Sequence, residues 1–243
     1  RTTRGGTPRG GDVTVQRMRL ARYPHAKKIS ATLSAEHLAD IPALVHDIWF
    51  IHRELGFDMN QFNLMFAFGS ELNRAAKGEA VLTPATPAQQ QALYAALKAE
   101  FTGTELEEGL KRNWFDEFKP SYCTNAANCG ERFYLLQSDG AVYSCVRGQG
   151  IEAFRYGNVF EDPILHILDN GARKIRAVHQ AQGFDASCQS CNHLSTCNTG
   201  CAVVKYQNQS GKSYTCSLQK TIYQDNPLSY PADDADAQRD YAR

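Results

Sequence analysis

After Asp40 the apolar residues Ile41, Leu44, Val45, Ile48, Ile51 and Leu55 recur at helical spacing, and the run stops at Gly56. Asp40 suits the N-cap and Pro42 the first turn, so the pattern predicts a helix over 40–55. FNLMFAF at 62–68 is almost continuously apolar, as a strand covered on both faces is, while KISATLS at 28–34 alternates like a short strand. Asp12–Arg22 carries weak helical spacing. Helix, strand, helix and strand in that order imply an α/β layer with parallel pairing. Farther on, Thr86 as N-cap, Pro87 at the first helical position and Gln89 in capping-box register predict a helix over 86–101. RFYLLQ and AVYSCV flank Ser138-Asp139-Gly140 as a hairpin would, and 161–178 reads as one helix or two parted near Gly171.

With 243 residues and 42% hydrophobic content, the chain can build one large domain or two modest ones around a sizeable core. Lys plus Arg and Asp plus Glu both number 26, so no long-range field draws nucleic acid or an anionic membrane, and neither is an expected partner. Apolar stretches such as IWFI at 48–51 are too short to span a bilayer, and RTTRGGTPRGGD has no apolar secretory region. A cytoplasmic location is the expectation. The opening Gly, Arg, Thr and Pro residues, with Arg first, read as a loop entered in mid-course and therefore as a fragment of a longer chain.

All eight cysteines lie between 123 and 216, which marks a second domain from about residue 119. Their order is Cys123-x5-Cys129-x10-Gly140-x4-Cys145, then Cys188-x2-Cys191-x5-Cys197-x3-Cys201, then Cys216. Eight thiolates suffice for two four-ligand sites. Disulfides have little purpose in a cytosolic chain with an ample core. Zinc remains open, since tetrahedral sites also use Cys-x2-Cys and His193 lies inside the cluster as a fourth donor. Iron–sulfur ligation fits better, because a cubane draws thiolates from several directions and a tight group of three takes its fourth from elsewhere in the chain. Tyr122, Tyr143, Leu194 and Tyr214 would limit water at the thiols, and Gly140 and Gly200 would let backbone approach the sulfurs.

The cysteine pattern resembles the SPASM domain of radical S-adenosylmethionine (SAM) enzymes over about residues 119–220, with Cys123 matching the extra ligand of members whose two auxiliary clusters are fully ligated. The resemblance implies that Cys123, Cys129, Cys145 and Cys201 hold one auxiliary [4Fe–4S] cluster and Cys188, Cys191, Cys197 and Cys216 the other. Cys201 would thus cross from the tight group into the opposite site and couple folding to cluster assembly. It further implies that 1–85 is the C-terminal part of a partial parallel (β/α)6 radical SAM barrel, 86–118 a bridging helical region, and 119–243 a small cysteine-rich α+β SPASM domain with a C-terminal tail. Arg4, Ser30 and Asn63 are the candidate SAM contacts on that analogy.

No cysteine precedes Cys123, so this segment lacks the Cys-x3-Cys-x2-Cys that carries the family's SAM-cleaving cluster, and alone it should not cleave SAM. Val146 stands where sulfatase-maturing relatives place a catalytic Asp after the cysteine equivalent to Cys145, which argues against that substrate. The expected intact protein is an enzyme with SAM and a third [4Fe–4S] cluster. It would form a deoxyadenosyl radical, modify a peptide or protein, and receive electrons from a donor such as flavodoxin or ferredoxin. A non-catalytic dicluster electron-transfer module and a zinc-stabilised interaction domain are the alternatives. Arg147, Arg155 and Tyr156 could touch substrate, although idle surface charge is the plainer reading.

Overall fold

Asp40 caps its helix as the pattern predicts: its carboxylate accepts from the Ala43 amide at 3.0 Å, and Ile41–Trp49 (α1) follows with Pro42 in its first turn. The helix then widens into a π-helical turn over Phe50–Glu54 and stops at Gly56, whose φ of 66° lies in the left-handed region. In the computed structural model the described residues are 24, 28–68, 82–119 and 128–232. Arg4, the predicted helix over Asp12–Arg22 and Cys123 lie outside them.

The described residues fall into two compact units, divided between Asp116 and Glu117, with Phe68 counted in the second. In the first, Ile29–Leu33 (β1) and Phe62–Phe66 (β2) pair in parallel, Ile29 opposite Phe62 and Leu33 opposite Phe66. β2 is buried at four of its five positions, in keeping with its unbroken apolar run, whereas β1 keeps Ser30 and Thr32 exposed. Pro87–Phe101 (α2) begins with both halves of the Thr86/Gln89 capping box in place. Leu93, Leu97 and Phe101 on α2 are buried, as are Leu64 and Trp114 elsewhere in this unit, each such side chain contributing about 1.5–3 kcal/mol. Trp114 meets Phe101 edge-on at 4.8 Å and Phe62 at 5.7 Å, and its indole N–H donates to the Met59 carbonyl at 2.7 Å.

The second unit opens on the predicted hairpin. Leu135–Leu136 (β3) and Ala141–Tyr143 (β4) run antiparallel, and Arg155–Asn158 (β5) adds to β4 across an irregularity at Val142/Tyr143. Gly140 closes the turn with φ 83°, where a Cβ would meet the Asn158 side chain at 2.4 Å. That glycine serves the hairpin, where a Cβ would meet the Asn158 and Phe160 side chains. Residues 161–178 lie largely within one helix, Ile164–Gln182 (α3), with no break at Gly171. Ala202–Asn208 (α4) and Cys216–Asp225 (α5) complete the unit.

Candidate metal centre

Gly171 is buried inside α3 because the turn that carries Cys129 lies directly on it. A Cβ on Gly130 would stand 2.0 Å from the Gly171 carbonyl oxygen, and one on Gly171 would stand 2.3 Å from the Gly130 carbonyl oxygen. Two glycines thus let backbone meet backbone and bring Cys129 onto the helix. Cys145 follows β4, and its carbonyl accepts from the Gly148 amide at 3.1 Å. Cys201 is the N-cap of α4. These three thiols pack against one apolar core that includes Val142, Phe154, Tyr156, Ile175 and Val203. Burial first, and the nearby Cys129 and Cys145 next, raise the Tyr156 phenol above its ordinary value.

Cys188, Cys191, Cys197 and Cys216 occupy a different place. All four line a hollow that opens partly to solvent, together with His193, Leu194, Thr199 and Lys212. A ladder of tight turns sets their spacing: the Cys191 amide donates to the Cys188 carbonyl at 3.1 Å, Leu194 to Cys191 at 3.2 Å, and Gly200 to Cys197 at 3.0 Å. Cys216 enters from the first residue of α5. Burial raises the Cys188, Cys197 and Cys216 thiols, Cys197 to about 12, and Cys216 is the first thiol to add to the effect at both Cys188 and Cys197. The Nδ1 of His193 is buried there without a hydrogen-bond partner.

Between Cys197 and Cys201 three successive residues have positive φ: Asn198 at 48°, Thr199 at 58° and Gly200 at 85°. A β-branched threonine rarely adopts this conformation. Cys197 lies on the hollow and Cys201 on the other core, on opposite sides of this left-handed run. All seven described cysteines are free thiols, so no disulfide joins them. A zinc ion held by four thiolates needs sulfurs with edges of about 3.8 Å, from a Zn–S length near 2.3 Å. Among the described residues no three His, Cys, Asp or Glu side chains converge closely enough to hold one ion.

Residues 112–192 match the family model of SPASM, an iron–sulfur cluster-binding domain. The chain carries a SPASM domain. The match spans a third of the chain and takes in Cys123, Cys129, Cys145, Cys188 and Cys191, while Cys197, Cys201 and Cys216 follow it. No curated protein and no solved structure gives a significant match. Iron–sulfur binding is the property that the SPASM domain brings.

Other residues fall differently from what the sequence implies. Arg147 is not an idle surface charge: its Nη2 donates to the buried Glu117 carboxylate at 2.9 Å, and its guanidinium lies 5.3 Å from the Phe68 ring. The Tyr214 hydroxyl donates to the same Glu117 oxygen at 3.1 Å. Tyr156 is fully buried. Ser30 and Asn63 stand opposite each other on β1 and β2, joined by a 3.3 Å hydrogen bond, with Asn63 only 4% exposed. Glu117, Thr199 and Lys205 carry no mark of their roles in the motifs. For Lys205 a signal existed, since it follows three apolar residues on a short helix starting at Cys201. No described helix is long and apolar enough to cross a membrane.

Proposed function

We propose that this chain is the C-terminal part of a radical SAM enzyme whose SPASM domain holds two auxiliary [4Fe–4S] clusters and whose intact form modifies a peptide. The observation that supports it most is the sorting of the cysteines, four around one hollow and three around a separate core, in the same two sets that the resemblance implies. In this reading Cys188, Cys191, Cys197 and Cys216 ligate one cluster, and Cys129, Cys145 and Cys201 join Cys123 at the other. Bound clusters of this kind pass single electrons. The thiols fix the sites, the apolar core at Phe154 and Val203 keeps water from one of them, and Leu194 screens the second. Four protein ligands at each leave no iron free for substrate, so support of electron transfer is the role that follows. Ser30 and Asn63, with Arg4 ahead of them, would face SAM, and a flavodoxin or ferredoxin would supply electrons.

Anaerobic reconstitution tests the site. About eight irons and eight sulfides per chain, with absorption near 400 nm, roughly where thiolate-to-iron charge transfer falls, are the expected result. Stoichiometric zinc, or colourless protein, would overturn it. The enzymatic part is tested by the intact reading frame: Cys-x3-Cys-x2-Cys upstream, with 5′-deoxyadenosine released from SAM on reduction, supports the reading. A reconstituted intact protein that leaves SAM uncleaved contradicts it.

A further inference from the structure

Lys205 is 1% exposed, on α4 one turn beyond Cys201. An ammonium carries three hydrogens, and Lys205 Nζ has three acceptors: Thr199 Oγ1 at 2.6 Å, the Gly183 carbonyl at 3.4 Å and His179 Nδ1 at 3.5 Å. The ammonium matches all three when His179 carries its proton on Nε2 and leaves Nδ1 to accept. His179 suits the accepting role, because burial and then Lys205 lower its pKa to about 4 and leave its ring neutral. Gly183 is the C-cap of α3, so the ammonium also sits at the negative end of a 19-residue helix.

None of these partners is a carboxylate, and a buried charge without an opposite one is costly. The missing anion would be a thiolate-bound cluster in the hollow. Thr199 lines it and also holds Lys205, and the left-handed run at 198–200 presents that hydroxyl. Lys212 and Lys220 line the hollow as well, but both are half-exposed, where solvent screens their charge.

We propose that Lys205 is the fixed countercharge of the cluster bound by Cys188, Cys191, Cys197 and Cys216, and that it raises the reduction potential of that cluster. The inference rests on the ligand set proposed above. Reduction adds negative charge to a thiolate cage that is already anionic, and a cation held nearby in low dielectric favours the reduced state.

The test is an EPR-monitored redox titration of the reconstituted full chain, with the signal of this cluster assigned as the one abolished by the double replacement Cys191→Ala/Cys216→Ala. Lys205→Met is expected to disfavour reduction of that cluster at least tenfold, a fall of about 59 mV for a one-electron couple. Lys205→Arg should restore the wild-type value, and the other cluster should not respond. An unchanged potential in a loaded Lys205→Met protein would overturn the proposal while leaving the ligand set intact, and Lys205 would then be only a cap on α3. If Lys205→Met fails to load iron, loading by Lys205→Arg supports the countercharge, and failure of both assigns the residue to packing and overturns it. A wild-type chain without iron would sink the ligand set itself, a separate outcome.

Discussion

His179 and Thr199 differ from their neighbours in what the fold asks of them. Thr199 keeps a left-handed backbone that its branched side chain disfavours, and His179 stays uncharged beside an ammonium. The second condition has a consequence for stability. The folded His179 pKa, about 4, lies below the ordinary 6.5, so between those values the unfolded chain binds a proton that the folded chain does not. This contribution is fully present above pH 6.5 and is lost as pH falls toward 4. It amounts to roughly 2 to 3 kcal/mol over the window. His179→Gln keeps an acceptor for Lys205 without the titration, and its urea midpoint should fall less than the wild-type midpoint between pH 7 and 4.5. Equal pH dependence in the two proteins would contradict the burial of a neutral imidazole. No motif in the sequence marks the roles of His179 and Thr199, which arise from contacts with Lys205.

At the element scale, local signals that act through neighbouring residues were readable. Asp40, the Thr86/Gln89 box, the unbroken apolar run of β2 and the Ser138-Asp139-Gly140 turn each dictate their own few residues, and each element forms where predicted. Contacts between distant segments left no such mark. Gly171 reads as a helix breaker in isolation, yet it is the position in α3 that accepts the Cys129 turn. Arg147 reads as exposed until Glu117 and Tyr214 close over it. The glycine contact makes a sharp prediction. Gly171→Ala should raise the helix propensity of α3 but drive the Cys129 turn away, costing about 1–3 kcal/mol from overpacking. The cluster served by Cys129 should load poorly while the one at the hollow loads normally. Iron per chain and EPR of the variant measure this, and full loading of both sites would show that the two backbones can part without consequence.

For the whole molecule, the cysteine pattern carried more information than any helix or strand, because cluster ligation constrains residues far apart in sequence. All the described cysteines fall in the second compact unit. The resemblance implies two thiol sets with Cys201 opposite its neighbour Cys197; Cys197 lines the hollow and Cys201 packs on the apolar core, with the left-handed run between them. What the pattern did not contain is the environment of each set: the apolar core around Cys129, Cys145 and Cys201, and the hollow whose lining residue Thr199 also holds the buried Lys205. These come from the tertiary packing of α3, α4 and the hairpin. Cys201→Ala is the most direct test of the account. EPR and iron content of the reconstituted variant should show about half the iron lost, with the surviving signal the one that Cys129→Ala/Cys145→Ala retains; a surviving signal that matches Cys191→Ala/Cys216→Ala instead would contradict it.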